Sequence, residues 1–159
     1  EEVERAMIPV RRLNHAVLYV RDAARAAAFY TDVFGFEPIA EFPGAAFLRA
    51  AGSTNHHDLG LFSVGPDAPG PQPGRVGLYH LAWQVDSIAD LATARDTLRR
   101  VGAYVGESDH GATKSIYGHD PDGNEFEVMW MLPRDEWGEH ERDATIAALD
   151  LDAEIARHG

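Results

Sequence analysis

No cysteine occurs in the sequence, so disulfide bonds and thiolate metal ligands are excluded. No apolar run reaches the length of about 18 residues that a membrane-spanning helix needs, and we therefore expect no membrane partner. The amino-terminal residues lack the basic-then-apolar pattern of a secretory signal peptide. Together these absences favour a cytoplasmic protein.

Positive charge is also scarce, because 14 Lys and Arg residues face 26 Asp and Glu residues, for a formal net charge of −12. Such a surface repels phosphates, so we do not expect a nucleic-acid partner. The chain has 159 residues, of which 45% are hydrophobic, enough for one domain with a core, and we predict a single domain over residues 1–159. Eight histidines are present, and without cysteine they are the natural candidates for metal ligands.

The order of predicted elements repeats along the chain. An alternating strand (13–20) is followed by Asp22 as a helix N-cap, a helix that ends at Gly35, and three short strands. The same order returns with a strand at 78–85, a helix capped by Ser87 and closed near Gly102, and three more strands. The repeat predicts module one at 10–64, a Pro/Gly-rich linker at 65–77, module two at 78–132 and a carboxyl-terminal segment at 133–159.

This repeat predicts an α+β fold. Two tandem βαβββ modules are expected to form one mixed sheet that encloses a cleft, and a helical tail is expected to follow. The tail could pack on the domain or form a contact in a homo-oligomer.

Two histidines occupy equivalent positions in the two modules. His15 and His80 each interrupt an otherwise apolar strand, and Glu127 does the same on the last strand of module two. A single such histidine is often a hydrogen-bonded core residue, but its recurrence in both repeats favours a shared site. Two imidazoles and one carboxylate make the facial arrangement that suits non-haem Fe(II) and leaves coordination positions open.

Residues 110–128 carry a spaced set of polar and turn-forming residues before the last strand. Over residues 10–132 the chain resembles the vicinal oxygen chelate superfamily, which includes glyoxalase I, antibiotic-resistance binding proteins and extradiol ring-cleaving dioxygenases. The spacing within residues 110–128 is similar to the extradiol dioxygenase signature, which is matched at His110, Ile116, Tyr117, Asp120, Pro121, Gly123 and Glu127.

The resemblance implies a set of roles. His15, His80 and Glu127 are expected as ligands of Fe(II), with Mn(II) as an alternative and O₂ as co-substrate. The pair His56–His57 is similar to one in biphenyl-diol dioxygenases, which implies that His57 is the acid–base residue. His110 and Tyr117 are then expected to donate hydrogen bonds to the substrate. The implied substrate is a catechol and the product a muconic semialdehyde, with no organic cofactor.

Several finer predictions concern the surroundings of this site. Asn14 is a candidate to fix the tautomer of His15, and Trp83 and Phe47 are candidates to hold the aromatic ring. Asp120 could orient His110 or could equally serve as the first residue of the turn at 120–123.

Two other functions remain open. A glyoxalase I-like isomerase or epimerase has the same fold, but such sites usually use a fourth protein ligand, and positions 59–62 offer none. A drug-binding resistance protein is the other alternative, and the complete metal triad counts against it. Because familiar extradiol enzymes contain two domains of this kind, the chain resembles a single-domain member.

Overall fold

A computed structural model describes residues 6–159 of the chain. Its elements follow in the order β1 (Ala16–Val20), α1 (Ala23–Phe34), β2 (Glu37–Phe42), β3 (Ala45–Arg49), β4 (Leu59–Ser63), β5 (Leu81–Gln84), α2 (Ile88–Arg100), β6 (Tyr104–Asp109), β7 (Thr113–His119), β8 (Glu125–Met131) and α3 (Leu151–His158). Short 3₁₀ turns cover Arg134–Glu136 and Gly138–Arg142.

Local capping explains where the two long helices begin and end. The Asp22 carboxylate accepts the backbone N–H of Ala24 at 3.0 Å, and Gly35 closes α1 in the left-handed region at φ 69°. The Ser87 hydroxyl accepts the N–H of Asp90 at 3.0 Å at the start of α2. These predicted helix limits are confirmed.

The strands form two four-stranded mixed sheets, in the orders β1-β4-β3-β2 and β5-β8-β7-β6. In each sheet the first strand pairs in parallel with the last, and the remaining pairs are antiparallel. The predicted α+β fold of two βαβββ modules is therefore confirmed. Among residues 6–159 no backbone pairing joins the sheets, so they are two sheets rather than one continuous sheet. The module boundaries themselves stay predictions.

Helix α1 joins the two modules through its buried face. Phe29 and Phe34 belong to the apolar surroundings of both cores, and their rings lie 6.1 Å and 5.1 Å from that of Phe126 on β8. The hydroxyl of Tyr30, which is 2% exposed, donates to Asp120 at 2.9 Å. The inner face of each sheet is thus buried together with the helices, and the opposite face carries the more exposed side chains.

The tail, residues 133–159, contains less helix than the sequence predicts. Only α3 is α-helical, and Leu151 at its start is buried in the core of module two. Before it, Ala147 forms an antiparallel bridge with Asp109. The tail therefore packs on its own chain, as one of the two alternatives predicted.

No helix within residues 6–159 combines the length and the apolar character needed to cross a bilayer.

The Tyr30–Asp120 contact gives a prediction about stability. Burial and the neighbouring carboxylate raise the pKa of Tyr30, so its hydroxyl stays protonated and donates. We expect Tyr30→Phe to lower the free energy of unfolding by about 1.5–3 kcal/mol, the contribution of a hydrogen bond to a charged group.

The measurement is urea denaturation followed by circular dichroism. Tyr19→Phe is the matched control, because Tyr19 is 76% exposed and should change stability little. A Tyr30→Phe protein as stable as this control would contradict the proposed contribution of the hydrogen bond.

Candidate functional site

His80 and Glu127 lie side by side at the amino ends of two neighbouring parallel strands. Leu81 pairs with Phe126 and Ala82 with Glu127, which brings the start of β5 beside β8. Nε2 of His80 lies 3.1 Å from Oε2 of Glu127. Two of the three predicted metal ligands therefore meet within one chain.

A second carboxylate orients His80. Nδ1 of His80 lies 3.2 Å from Oε2 of Glu125, which belongs to the same face of β8 as Glu127 because alternate strand residues share a face. Glu125 was not predicted as a site residue. Its signal was the alternation of acidic residues 125 and 127 in an otherwise apolar strand.

The two contacts of His80 restrict which of its ring nitrogens can carry a proton. A neutral imidazole that donates Nδ1–H to Glu125 has an unprotonated Nε2, and this lone pair would face a carboxylate oxygen at 3.1 Å. Two acceptors at this distance require a proton or another cation between them. The imidazole and carboxylate donors therefore fit a first-row metal ion, and the carboxylate on the outer nitrogen is typical of a metal-binding histidine.

Ser115 supports the same pair. This buried residue on β7 donates its hydroxyl to Oε1 of Glu127, leaving Oε2 directed at His80. Ser115 was not predicted. Its sequence signal was its position two residues before Tyr117, on the same face of β7.

His15 and His57 form a second cluster in module one. Their ring centroids are 4.4 Å apart, and the ring of Phe47 lies 5.2 Å from that of His57. Oδ1 of Asn14 is 2.9 Å from Nδ1 of His15, which confirms the predicted partner and leaves Nε2 of His15 without a proton in the neutral ring. Nδ1 of His56 lies 3.0 Å from Nδ1 of His57.

The surroundings of His57 favour its neutral form. Partial burial, followed by the nearby His15 and His56, lowers the pKa of His57 below its ordinary value of about 6.5. The imidazole is therefore available as a proton acceptor near neutral pH.

His110 and Tyr117 form a third group beside His80. Nε2 of His110 lies 2.6 Å from the Tyr117 hydroxyl, and the ring of Tyr117 is 5.7 Å from that of His80. Burial and the nearby Glu127 raise the pKa of Tyr117, so its hydroxyl keeps its proton.

The two clusters of predicted metal ligands do not meet within the chain. Arg21, at the carboxyl end of β1, bonds Asp122 in the turn before β8 at 3.2 Å, whereas His15 precedes the amino end of β1. The six residues of extended chain between His15 and Arg21 span about 20 Å, so His15 lies far from the turn before β8. Within residues 6–159 no group of three or more His, Asp and Glu side chains is arranged to hold a metal ion. The assignment of His15, His80 and Glu127 as one ligand set stays a prediction.

Two of the finer predictions are wrong. Asp120 does not contact His110; it has the alternative role in the turn, where its carboxylate accepts the backbone N–H groups of Asp122 and Asn124, and it also accepts from Tyr30 on α1. Trp83 packs into the two cores rather than facing the sites, since it lies on the inner face of β5.

Comparison with known proteins places this chain in a family. Residues 12–128 match the model of the Glyoxalase/Bleomycin resistance protein/Dioxygenase superfamily. The chain belongs to this superfamily. Its resemblance to the vicinal oxygen chelate proteins, which are the same group, is confirmed.

Curated relatives are named as dioxygenases. The chain is 29% identical to a catechol-2,3-dioxygenase of Bacillus subtilis over 92% of its own length and 52% of the relative's. It is 34% identical to biphenyl-2,3-diol 1,2-dioxygenase 3 of Rhodococcus globerulus over 74% of its length and 62% of the relative's. A manganese-dependent 2,3-dihydroxybiphenyl 1,2-dioxygenase of Geobacillus genomosp. 3 is 28% identical over 79% and 38% of the two lengths. The chain thus spans about half to three-fifths of the first two relatives.

Solved structures share the fold. A glyoxalase/dioxygenase from Nostoc punctiforme superposes with a TM-score of 0.65 at 21% identity, covering 82% of this chain and 99% of that one. A lactoylglutathione lyase from Agrobacterium tumefaciens gives 0.59 at 27% identity, covering 77% and 96%.

The environment of His57 predicts its titration. We expect the ring protons of His57 to titrate in NMR spectra with a midpoint below about 6.5. Because the folded chain binds this proton less readily than the unfolded chain, stability should fall as the pH falls from about 6.5 through the midpoint.

Substitutions separate the causes of the lowered His57 pKa. His15→Ala should move the His57 midpoint upward, since it removes the second-largest cause of the shift. His119→Ala, on β7 of the other module, should leave the midpoint unchanged. A His57 midpoint above that of a free imidazole would exclude it as a neutral base at pH 7.

Proposed function

We propose that this protein is an extradiol dioxygenase that inserts both atoms of O₂ into a catechol at a non-haem Fe(II). The observation that carries the proposal is the placement of Nε2 of His80 against Glu127, with Nδ1 held by Glu125. The dioxygenase names of the curated relatives support the same reaction. The predicted cytoplasmic location and the absence of nucleic-acid and membrane partners remain part of the proposal.

The metal would be held by His15, His80 and Glu127. Imidazole and carboxylate ligands suit both Fe(II) and Mn(II), and one relative is manganese-dependent by name. When bound, the metal supplies the electron-transfer chemistry that allows O₂ to react with an aromatic diol.

The chain's own residues supply proton transfer. His57, neutral near pH 7, would accept the proton of a catechol hydroxyl and later return it as the ring opens to a muconic semialdehyde. Phe47 beside it offers an apolar surface for the aromatic ring. Tyr117, on the other side of His80 and bonded to His110, would contact a substrate oxygen.

We further propose that the ligand set is completed between two copies of the chain. His80 and Glu127 lie together without His15, and His15 lies beside His57 without them. In a two-fold symmetric dimer each site would take His15 and His57 from one copy, and His80, Glu127 and Tyr117 from the other.

An exposed apolar surface supports this dimer. His15, Val17 and Tyr19 alternate toward the same side of module one. Val17 and Tyr19 are 52% and 76% exposed, and with Phe62 they line a depression of about 360 Å³. A second copy seated there would cover this surface and bring its own His80 and Glu127 toward His15.

A metal-dependent isomerase is the second candidate. Glu125 beside His80 provides a further carboxylate, and the lactoylglutathione lyase of Agrobacterium tumefaciens is 27% identical to this chain. Such an enzyme would use the second carboxylate to move a proton and would consume no O₂.

Oxygen uptake tests the main proposal. We expect protein loaded with Fe(II) without air and given a panel of catechols to consume stoichiometric O₂ and form a yellow ring-fission product. His57→Ala should retain the metal and lose about 10²–10⁴-fold in turnover, the usual contribution of a general base.

His119→Ala is the control, because His119 is the exposed last residue of β7 and has no proposed role. Tight metal binding without O₂ uptake on any catechol would contradict the dioxygenase. Isomerisation of a glutathione hemithioacetal by the same sample would then establish the second candidate.

Complementation tests the shared site. His15→Ala and Glu127→Ala should each abolish metal retention and activity. In a mixed dimer of the two variants, both substitutions fall in one site. The other site takes its intact His15 from the Glu127→Ala chain and its intact Glu127 from the His15→Ala chain, and so has a complete ligand set. Random pairing makes half the dimers mixed, so about one quarter of wild-type sites should return.

The readouts are metal content and activity of the co-expressed, separately tagged chains, with the molecular mass from light scattering. Verified mixed dimers with no recovered metal would overturn the shared site. A monomeric, fully active wild-type protein would do the same.

A further inference from the structure

The tail lies directly against the His110–Tyr117 pair. Nδ1 of His110 is 2.7 Å from the backbone carbonyl oxygen of Thr145. A carbonyl oxygen can only accept, so Nδ1 carries the proton of the neutral ring. The reverse tautomer would set two lone pairs against each other at this distance. The tail therefore decides which nitrogen of His110 is protonated.

The tautomer decides what Tyr117 does. With Nδ1 protonated, Nε2 of a neutral His110 has only a lone pair, and the Tyr117 hydroxyl 2.6 Å away must donate to it. The proton of Tyr117 is then committed to His110. The Tyr117 oxygen keeps its capacity to accept a hydrogen bond from another group.

Three further contacts hold the tail against this part of the chain. Ala147 and Asp109 exchange both backbone hydrogen bonds at 2.9 Å. His140 packs so closely on Gly111 that a Cβ there would lie 2.7 Å from its Nδ1. The Lys114 ammonium, on a side chain 7% exposed, lies 2.7 Å from Asp109 and 3.7 Å from Glu154 on α3.

The Lys114 ammonium faces carboxylates at this contact. Burial alone would raise the pKa of Asp109, but hydrogen bonds from Lys114 and from the Gly111 N–H outweigh burial, and the pKa lies below its ordinary value. Asp109 is therefore ionised opposite Lys114, the only lysine of the sequence. The same ammonium lies 3.7 Å from Glu154 on α3, so Lys114 links the end of strand β6 to the tail.

We propose that the tail is a positioning element of the site: the Thr145 carbonyl holds His110 as its Nδ1–H tautomer, so that Tyr117 donates to His110 and presents its oxygen as an acceptor to a ligand hydroxyl. This differs from the expectation that both residues donate to the substrate. The catalytic consequence rests on the proposed dioxygenase function, whereas the tautomer does not.

The ligand chemistry follows from this arrangement. A hydroxyl that still carries its proton can donate to the Tyr117 oxygen, and an oxyanion cannot. The pair therefore selects a substrate that keeps one protonated hydroxyl on the Tyr117 side. His57, beside Phe47 in the other cluster, is the group proposed above to remove the other proton.

Replacement of a tail residue by proline tests the inference in the full-length, metal-free protein. Ala147→Pro removes the N–H that bonds Asp109, and should release Thr145 from His110. Ala148→Pro is the matched control, because within residues 6–159 the Ala148 N–H donates no backbone hydrogen bond and proline favours an extended residue before it.

The primary readout is the tautomer of His110, from two-dimensional NMR correlation of ring nitrogens with ring protons. We expect Nδ1–H in the wild type and in Ala148→Pro, and a shift toward Nε2–H in Ala147→Pro. Nε2–H in the wild type, or no change in Ala147→Pro, would overturn the inference. If Ala147→Pro does not fold, Gly111→Ala displaces His140 instead and should cause the same shift.

Activity separates this inference from the proposed function. If the protein cleaves catechols, Ala147→Pro should lower kcat about 10- to 100-fold with little change in metal content, and Ala148→Pro should not. A shifted tautomer with an unchanged kcat would show that the tail does not contribute to catalysis. The predicted tautomer in a protein that consumes no O₂ would uphold the tautomer assignment and reject the dioxygenase.

Discussion

A neutral imidazole has one proton for two nitrogens, and this constraint organises the polar residues of the protein. His15, His80 and His110 each direct Nδ1 at an oxygen, supplied by Asn14, Glu125 and Thr145 respectively. In each neutral ring, Nε2 is left with a lone pair. The three oxygens come from a neighbouring residue, a strand and the tail, yet their chemical effect is the same.

The second organising feature is the packing of α1 between the modules. Because its aromatic side chains contact Phe126, and Tyr30 bonds Asp120, the inner faces of both sheets are buried within one chain. The opposite faces, which carry the histidines of the candidate site, remain accessible. The same contact sets the carboxyl end of β1 beside the turn before β8, and so separates His15 from His80. A well-packed chain therefore presents two incomplete groups of ligands, and a two-fold partner is the arrangement that would complete both.

The tail connects stability with chemistry. Its ion pair with Lys114 and its bridge to Asp109 hold it on module two, and the same placement delivers a backbone carbonyl to His110. A backbone carbonyl is a dependable partner because it cannot donate and does not depend on the identity of the side chain. Residues 109–111 and the tail are thus held together by hydrogen bonds, although about 35 residues separate His110 from Thr145.

Local patterns in the sequence were sufficient for much of this structure. Capping by Asp22 and Ser87, the closing Gly35 and the strand alternation predicted the helices and the repeated modules, because these features depend on neighbours a few residues away. The signature at residues 110–128 also identified His110, Tyr117 and Glu127 as a group. Only the tertiary structure decided the division into two sheets, the separation of His15 from His80, the supporting roles of Glu125 and Ser115, and the partner of His110. Each of these depends on contacts between distant segments, and a hydrogen bond between such segments leaves no periodic or local pattern from which it could be inferred.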